Sequence, residues 1–369
     1  MKITLITDLY SVKEDDPHTP RTLYDFVQSW RADGHDVSVI KPNFILNSFI
    51  RKKPFYKTGK YGDILNLNFH LPFIFISKKV KAELKDSIII AHMPSGILFA
   101  DKLNLPFVAG IHQSDIDVLT KPIYKFYFGK RLYKALKNAY LISCRSEHLK
   151  KKLLNLYPEF ENKTFIASSG IDEEIILERE ILLSNPTKVF TCANFKRRKN
   201  IDKIIEAIGG DKNFTLTIAG SGEREKYLHK LAKNFNNINF LGQIKNKEVL
   251  KYMRKSDIFI LPSVNETLGI VYLEAMASGC ITVGTKDTGI DGIIKDNENG
   301  FLIKPETDDI KDILYKIKSM DNNELKALQD NSFQTIRNYT KIICAKNYLQ
   351  HILKFRNETD LNEHVFGSM

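Results

Sequence analysis

The sequence predicts an α/β fold with two domains, each built on a parallel sheet. Apolar runs of strand length alternate with amphipathic helical patterns, which is typical of parallel strands covered by helices. The length of 369 residues is long for one domain and suits two. A charged, weakly periodic interval at 172–186 indicates a linker between them.

Ten apolar runs are the predicted strands. Those of the first domain are Lys2–Thr7, Asp36–Ile40, Ser87–Ala91, Phe107–Ile111 and Tyr140–Cys144. Those of the second domain are Lys188–Cys192, Thr215–Ala219, Ile238–Leu241, Asp257–Leu261 and Thr282–Gly284. One long helical pattern, Glu324–Lys354, follows them. The simplest assembly is two Rossmann-like domains facing a central cleft, with residues 1–173 in the first and residues 174–337 in the second.

The composition is that of a soluble globular protein, with 43% hydrophobic and 27% charged residues. No apolar run reaches the ~18–20 residues that a membrane span requires, and the N-terminus reads as a strand rather than a signal peptide. The four cysteines are widely spaced, without the pattern of a disulfide framework or a metal site. We expect inert thiols in a reducing cytoplasm.

Two glutamates eight residues apart, Glu266 and Glu274, carry the clearest functional signal. A predicted strand ends at Leu261, and a helix is expected to begin near Leu268 and end at Gly279. Open sheets bind ligands at such strand-to-helix junctions. The backbone N–H groups there form an anion site, and they belong to Thr267, Leu268, Gly269 and Ile270. Amides suit phosphate and carboxylates suit sugar hydroxyls, so the junction fits a sugar nucleotide. The alternative is a solvated cap followed by a solvated helix face.

The full segment from Pro262 to Gly279 reads P-S-x-x-E-T-x-G-x-x-x-L-E-A-M-A-x-G. It resembles the E-x7-E signature of the family 4 retaining glycosyltransferases, which have the GT-B fold. The resemblance implies a nucleoside diphosphate sugar as donor, with UDP favoured over GDP, and neither a metal nor a cofactor. It also implies that Glu274 holds the ribose hydroxyls and that Glu266 orients the sugar. The C-terminal helix, about 338–369, would complete the first domain.

A basic segment of the second domain supports this interpretation. Arg197, Arg198 and Lys199 lie between a strand and a helix, where a diphosphate would relieve the repulsion among the cations and the helix dipole. An exposed basic turn is the alternative. In the family pattern the matching lysine holds the diphosphate, but Asn194 stands where an arginine is expected. Further donor contacts implied by the resemblance are Gly222 in the Gly-x-Gly turn and Gln243 and Ile244 beside the nucleobase.

In the first domain, His112 ends a predicted strand and opens Gly110–Asp115, which resembles the family's H-G-S-D segment. The resemblance makes His112 a catalytic residue close to the transferred sugar, with Glu266 and Lys199 in the other domain. A structural histidine is the alternative. Asp115 is assigned to the acceptor side, and the D-x-D pattern that it begins is not taken as a metal site. The family's Gly-Gly after the first strand is missing, so acceptor contacts are assigned to Thr19, Arg21 and Thr22.

The net charge of +11 is concentrated in the first domain, where residues 1–173 hold 26 basic and 18 acidic residues. Phe49–Tyr61 and Lys121–Lys137 contain five and six basic residues interleaved with aromatic ones, and no acidic residue. Such segments suit an anionic membrane. Nucleic acid is disfavoured because no helix-turn-helix, RNP or zinc pattern is present. A soluble basic protein without a membrane partner is the remaining alternative.

Together these features predict a retaining, metal-independent glycosyltransferase that acts on a saccharide or lipid-linked saccharide. Its expected place is the cytoplasmic face of a bacterial membrane, in cell-surface polysaccharide or glycolipid synthesis. Epimerases and phosphorylases share the GT-B fold and are rival enzyme classes, although no cofactor lysine or free-phosphate site is evident. The non-enzymatic alternative is a degenerate member that binds sugar nucleotide or membrane and scaffolds a polysaccharide assembly complex. Asn194 and the missing Gly-Gly favour the scaffold, whereas His112, Lys199 and the two glutamates favour the enzyme.

Overall fold

The computed structural model describes residues 1–10, 21–44, 57–69, 76 and 78–358. The chain forms two compact units. Unit 1 comprises Met1–Ser169 and Lys341–Met369, and unit 2 is the continuous segment Gly170–Thr340. The sequence-based boundaries, 173/174 and 337/338, lie a few residues inside unit 2. The assignment of the acceptor to the first domain and of the donor to the second stays a prediction.

Unit 1 is built on an eight-stranded sheet with the order β3-β4-β2-β1-β5-β6-β7-β8. All neighbouring strands in it are parallel except β3 and β4. The strands are β1 (Lys2–Ile6), β2 (Asp36–Phe44), β3 (Gly59–Tyr61), β4 (Ile64–Phe69), β5 (Ile88–His92), β6 (Phe107–Ile111), β7 (Leu141–Cys144) and β8 (Thr164–Ile166).

Unit 2 is built on a six-stranded sheet with the order β11-β10-β9-β12-β13-β14, in which every neighbouring pair is parallel. Its strands are β9 (Thr187–Cys192), β10 (Phe214–Ala219), β11 (Ile238–Gly242), β12 (Ile258–Ile260), β13 (Ile281–Thr285) and β14 (Phe301–Ile303). Residues of β12 and β13 are buried throughout, as expected for parallel strands covered on both faces. The predicted α/β fold with two parallel-sheet domains is confirmed.

Helices connect the strands in both units. Before the crossing into unit 2 the chain forms α1 (Thr22–Ala32), α2 (Lys78–Leu84), α3 (Met93–Leu103), α4 (Gln113–Thr120), α5 (Pro122–Tyr124), α6 (Lys130–Asn138) and α7 (Glu147–Leu156). Unit 2 contains α8 (Ile201–Ile208), α9 (Glu225–Ala232), α10 (Asn246–Arg254), α11 (Ile270–Ala277), α12 (Thr307–Ser319) and α13 (Asn322–Arg337), and α14 (Lys341–Glu358) lies in unit 1.

The last helical pattern of the sequence is two helices rather than one. Helix α13 ends at Arg337 and α14 begins at Lys341, because the backbone between them pairs with another strand-like segment. The N–H of Ile171 donates to the carbonyl of Tyr339 at 2.9 Å. Helix α14 then packs within unit 1, where the indole N–H of Trp30 donates to the carbonyl of Ala345 at 2.9 Å.

The interval predicted as a linker is held on unit 2. Leu177 N–H donates to the carbonyl of Ala277 at 2.8 Å, and Arg179 Nε donates to the carbonyl of Ser278 at 3.2 Å. A second nitrogen of Arg179 bonds the carbonyl of Ser256. The charged side chain of Arg179 therefore binds backbone carbonyls of unit 2, and the segment is part of that unit.

Helix α11 also differs from its prediction. It begins at Ile270 rather than near Leu268, because Gly269 has a left-handed φ of 85° and cannot belong to the helix. At the other end Gly279 has φ 76°, the left-handed position expected after the C-terminus.

Candidate functional site

The loops that follow β9 and β12 are joined to each other by hydrogen bonds. The N–H of Val264 donates to the carbonyl of Arg198 at 2.9 Å, and the amide of Asn200 donates to the carbonyl of Pro262 at 2.8 Å. Asn200 has a left-handed φ of 51°, which asparagine tolerates better than most residues. Strands β9 and β12 are neighbours in the sheet, so their loops start side by side at its carboxyl edge.

Glu266 is the centre of a polar cluster on these two loops. The Lys199 ammonium donates to Glu266 Oε1, Arg198 Nη1 donates to the same oxygen at 2.9 Å, and the Ser263 hydroxyl donates to it at 2.7 Å. The side chains of Glu266 and Lys199 are only 13% and 12% exposed. The structure therefore brings together three of the predicted donor-site residues, and it pairs them with one another.

The charges of this cluster act on each other through a largely buried environment. Burial alone would raise the pKa of Glu266, but the charges of Lys199 and Arg198 and the Ser263 hydroxyl outweigh it and hold the pKa below its usual range. Burial lowers the pKa of Lys199, although the Glu266 carboxylate opposes that shift. Glu266 is thus an ionised carboxylate that keeps two cations in place.

The other basic-loop residues lie outside this cluster. Arg197 and Asn194 are both exposed, and Arg198, not Arg197, is the arginine whose guanidinium contacts Glu266. Beyond Glu266, the N–H of Gly289 donates to the Glu266 carbonyl at 3.0 Å, so the loop after β13 joins the same edge. The predicted anion-binding N–H groups lie at the start of α11, and they are those of Thr267, Leu268, Gly269 and Ile270.

An open pocket of about 290 Å³ lies beside the cluster, at the ends of β9, β10 and β11. Asn194, Gln243 and Ile244 line it, and the Ser221 hydroxyl donates to Gln243 Oε1 at 3.2 Å. Gly220 has φ 135°, and a Cβ on it would lie 1.9 Å from the carbonyl oxygen of Ala193. Glycine is therefore required for the close approach of the two loops that form the pocket floor. Gly222 follows in the same turn with φ 152°.

Glu274 lies near this pocket. Its Oε1 accepts a hydrogen bond of 2.8 Å from the Asn246 amide. Burial and then the Glu274 carboxylate raise the pKa of the Cys192 thiol to about 12, against the influence of Lys199, and Cys192 lines the pocket. The predicted ribose-binding carboxylate and the predicted diphosphate-binding lysine therefore both lie close enough to act on the same pocket residue.

In unit 1, His112 follows β6 and begins a hydrogen-bonded chain of side chains. Its Nε2 lies 3.0 Å from Nδ1 of His92, and Nε2 of His92 lies 3.1 Å from the hydroxyl of Tyr348. That hydroxyl lies 2.6 Å from the Ser143 hydroxyl. A Cβ on Gly110 would lie 2.1 Å from the His92 imidazole, so glycine at this position makes room for the ring. His92, Tyr348 and Ser143 are buried.

Burial sets the electrostatics of these side chains. Burial and then the Arg145 charge lower the pKa of His112 to about 3, and burial with its neighbours holds the pKa of His92 well below its usual range. Both imidazoles are therefore neutral near pH 7. Asp115 is fully buried. Its Oδ2 accepts the His112 backbone N–H at 2.8 Å, and burial, with Asp8 adding to it, raises its pKa to about 8.

The backbone of His112 is also engaged, since its carbonyl accepts the N–H groups of Asp115 at 3.0 Å and Ile116 at 3.4 Å. Of the loop residues assigned to the acceptor, Arg21 places its guanidinium 5.1 Å from the ring centre of Tyr24 and Thr22 begins α1. Thr19 lies outside the described residues, so its assignment stays a prediction.

His92, Arg145 and Tyr348 were not singled out from the sequence. His92 ends β5 and Arg145 follows β7, and both strands are neighbours of β6. Their positions at the ends of neighbouring strands could therefore have indicated that they lie at the same sheet edge as His112. Tyr348 lies 236 positions after His112 on α14, and nothing local in the sequence connects it to this edge.

The basic aromatic segment, Lys121–Lys137, is well described. Ile123, Tyr124, Phe126 and Tyr127 have exposed fractions of 72%, 52%, 83% and 64%. They lie on α5 and on the π-helical turn Lys125–Gly129. Lys121 pairs with Asp117 at 2.6 Å. The structure records no ion pair between a described residue and the other five cations of the segment, Lys125, Lys130, Arg131, Lys134 and Lys137. The other basic segment, Phe49–Tyr61, lies mostly outside the described residues.

Within the described ranges, the structure contains no helix long and apolar enough to cross a bilayer and no cluster of three or more side chains suited to a metal ion. The two carboxylates of the D-x-D pattern do not converge. Asp115 is buried against the His112 backbone, whereas Asp117 accepts from Lys121 and from the Gln113 amide at 3.1 Å.

Two family models match the chain, one on each unit. Residues 19–175 match the model described as Glycosyltransferase Family 4, and residues 172–335 match the model described as Glycosyl transferases group 1. The two matches leave only the first 18 residues and the C-terminal segment uncovered. The second match contains Lys199, Glu266 and Glu274, and the first contains His112.

Several proteins of known sequence or structure are similar to this chain. An uncharacterized glycosyltransferase from Methanocaldococcus jannaschii is 29% identical over 231 residues, which is 62% of each chain, so this chain spans about three fifths of that relative. The alpha-monoglucosyldiacylglycerol synthase of Acholeplasma laidlawii is 24% identical over 309 residues, 74% of this chain and 77% of that protein. A crystal structure of HepE from Anabaena in complex with UDP has a TM-score of 0.70 at 15% identity, with 96% of this chain and 100% of that one covered. At this identity the structural likeness shows the fold alone.

Proposed function

Because the chain belongs to glycosyltransferase family 4 and has the GT-B fold, we propose that it transfers a sugar from a nucleoside diphosphate sugar to a saccharide or lipid-linked saccharide. The observation that carries the proposal is the cluster of Lys199, Arg198 and Glu266 at the strand ends of unit 2. It combines cations for a diphosphate with a carboxylate for sugar hydroxyls, beside a pocket of suitable size for a nucleoside.

Departure of the diphosphate is the step that these cations serve. Negative charge grows on the leaving diphosphate as the glycosidic bond breaks, so Lys199 and Arg198 stabilise the transition state more than the ground state. When the donor binds, its diphosphate takes over part of the role that Glu266 plays toward these cations. Glu266 is then available to hydroxyls of the sugar and to the positive charge that develops on the sugar ring.

The stereochemical part of the proposal is transfer with retention, on the face of the sugar from which the diphosphate leaves. In this mechanism the departing phosphate oxygen accepts the proton of the acceptor hydroxyl, and no side chain acts as base. One observation is consistent with a mechanism that needs no side chain as base. The imidazoles of His112 and His92 are hydrogen bonded, and burial lowers their pKa, which makes them weak bases. His112 then acts by position, and the fixed cations make a metal unnecessary.

UDP is the proposed donor nucleotide. The pocket beside the cluster is lined by Gln243 and Ile244, an amide for the base edge and an apolar side chain for its face, and Glu274 lies near it for the ribose. The structural likeness to HepE, solved with UDP, supports this choice over GDP.

The proposed acceptor is carried by a membrane. Lys121–Lys137 exposes four large apolar or aromatic side chains together with five cations, a combination that suits an anionic bilayer. A second copy of the same patch is a less suitable partner, because a two-fold contact would set the cations against each other. The A. laidlawii relative, a glucosyldiacylglycerol synthase by name, supports a glycolipid or cell-surface polysaccharide pathway. The protein would then work at the cytoplasmic face.

A thermal unfolding panel tests the donor site, with UDP, GDP, ADP and their glucose and N-acetylglucosamine conjugates. A nucleotide at 100 times its dissociation constant stabilises the fold by ~2.7 kcal/mol. We expect a response to the uridine compounds that weakens in Glu274→Ala, and slow release of UDP from the matching sugar conjugate. Binding without release of UDP would support a scaffolding protein instead, and no response to any nucleotide would refute the donor site.

A further inference from the structure

Arg145 follows β7 in unit 1, and only 5% of its surface is exposed. Its guanidinium lies over the ring of Phe26, 5.5 Å from the ring centre. In the part of the chain that the structure describes, Nη1 of Arg145 has no hydrogen-bond partner. The groups that favour its charged form are Tyr348 and Cys344, and neither is a carboxylate. Arg145 is therefore a buried cation without an anion among the described residues.

A buried cation destabilises the folded state unless an anion or hydrogen-bond acceptors replace the water that it has lost. The contact with Phe26 covers one face of the guanidinium, but the five N–H donors point outward in its plane. Stacking therefore does not supply the missing partner of Nη1, nor does it neutralise the charge.

The surroundings of Arg145 offer no compensation from other charges. Burial, with a smaller contribution from the Arg145 charge, lowers the pKa of both His92 and His112. The two imidazoles therefore stay neutral, and Arg145 carries the local positive charge. Asp115, a buried carboxyl in the first turn of α4, is protonated near pH 7 because burial raises its pKa to about 8. Two further buried hydroxyls of unit 1, those of Ser95 and Ser169, also lack partners among the described residues.

Arg145 lies at the carboxyl edge of neighbouring parallel strands, where α/β sheets bind ligands. We propose that Arg145 binds a phosphate group, and that this group is part of the acceptor. The guanidinium supplies a planar fork of donors, which matches phosphate oxygens in charge and geometry. Assigning the phosphate to the acceptor rests on the proposed function, whereas the phosphate site itself does not.

Inorganic phosphate is the first probe, added at constant ionic strength during thermal unfolding. The measurements use a Lys199→Gln background, which weakens phosphate binding at the donor cluster. In this background we expect a saturable rise in Tm of at least about 2 °C. Adding Arg145→Gln should abolish the rise. Adding Arg131→Gln, the same change at an exposed position on α6, should leave it intact. Equal responses with and without Arg145 would overturn the proposal.

Stability in the absence of phosphate gives a second readout. If Arg145 awaits an anion, Arg145→Gln should unfold at the same temperature as its parent or higher, because it removes an uncompensated buried charge. A purely structural arginine would instead lower Tm on replacement, and that result would count against the site. Arg145→Lys covers the case in which the glutamine variant does not fold. It keeps the charge but loses the planar fork, and it should weaken phosphate binding about 10-fold.

Two organic phosphates then identify the source of the group, and both are compared with inorganic phosphate. A stronger Arg145-dependent response to sn-glycerol 3-phosphate indicates a phospholipid headgroup. A stronger response to glucose 6-phosphate indicates a phosphorylated sugar. This result does not depend on donor binding. If the protein does not bind UDP but shows the Arg145-dependent response, the proposed transferase activity is refuted and the phosphate site is supported.

Discussion

Nδ1 of His92 lies 3.0 Å from Nε2 of His112. The imidazole of His112, which the sequence predicts to be functional, is therefore held by that of His92, which the sequence analysis does not identify. The other nitrogen of His92 is bound in turn to the hydroxyl of Tyr348, at 3.1 Å. A strand end of the sheet is thereby connected to the C-terminal helix through three side chains. Because one nitrogen of each ring is committed to its neighbour, the tautomers of the two histidines are coupled.

Tyr348→Phe should misplace His112 without emptying the core, since it removes only the hydroxyl. The loss leaves His92 Nε2 and the Ser143 hydroxyl without their partner, which costs about 1–3 kcal/mol of stability. We expect transfer activity to fall about 5-fold or more, mainly in kcat, as measured by release of UDP. Tyr140→Phe is the matched control, because Tyr140 stacks on Phe355 and should tolerate the change. Unaltered kcat in Tyr348→Phe would show that the chain of side chains serves stability alone.

Arg197 and Arg198 provide a matched pair of variants in the donor cluster. Arg198 contacts Glu266 at 2.9 Å and Arg197 does not, so the two differ in their access to a bound diphosphate. Arg198→Gln should weaken UDP binding about 10-fold, since a hydrogen bond to a charged group is worth about 1.5–3 kcal/mol. Arg197→Gln should change it less than 2-fold. Isothermal titration with UDP measures both, and the reverse order would assign the diphosphate to Arg197.

Membrane binding should depend on the exposed side chains of Lys121–Lys137. Replacing Ile123 and Phe126 by serine removes two side chains that would each contribute about 1.5–3 kcal/mol when buried. Cosedimentation with vesicles containing 30% anionic lipid should therefore fall at least 10-fold. Leu182→Ser is the control, because Leu182 is 61% exposed but lies in unit 2. Binding by the wild type should weaken as salt is added. Equal binding to neutral vesicles would refute the electrostatic part of this prediction.

Asp115 should make the stability of the protein fall as pH rises. Its pKa is about 3.9 in an unfolded chain and is raised by burial to about 8 in the folded one. Between these values the folded state holds a proton that the unfolded state has lost, so the free energy of unfolding decreases with increasing pH.

Asp115→Asn removes this titration and keeps an acceptor for the His112 N–H. Relative to wild type, the variant should gain stability between pH 5 and pH 8, by at most ~1.4 kcal/mol per pH unit. Urea unfolding at three pH values measures the difference. Asp117→Asn, which changes a partly exposed carboxylate two residues on, controls for the substitution itself. A difference that does not vary with pH would mean that Asp115 is ionised in the folded state.

The parallel strands were predictable because strands covered on both faces are continuous apolar runs, as at Ile258–Ile260. The strands that were missed lie at or next to a sheet edge, where a strand is less fully covered and its sequence need not be a continuous apolar run. Gly59–Tyr61 is antiparallel and partly exposed, and Thr164–Ile166 and Phe301–Ile303 are three-residue strands at the edges of their sheets. The break before Lys341 depends on pairing with Ile171, a contact about 170 residues away that no local pattern records.

The candidate site is likewise predictable where it depends on local sequence and not where it depends on tertiary contacts. Glu266, Glu274 and Lys199 are found from the sequence because each lies in a contiguous motif at a strand-to-helix junction. The motif does not reveal that Glu266 is already bonded to Lys199 and Arg198, since this depends on how two loops meet. Arg145 escaped notice because a single arginine after a strand is an ordinary surface residue in sequence. Its burial, which makes it informative, is created by Phe26 and by the C-terminal helix.

The indole of Trp30 bonds the carbonyl of Ala345 across 315 positions of chain, and the whole of unit 2 lies between them. Topologically, unit 2 is an insertion whose two ends are fastened together by the bond from Ile171 to Tyr339. On the ribosome its sheet can close before α14 has been synthesised, whereas unit 1 is complete only once α14 has emerged. The larger sheet is therefore the later one to be completed. A chain that terminates before α14 would keep unit 2 but would lack Tyr348, which holds His92 and His112 in place.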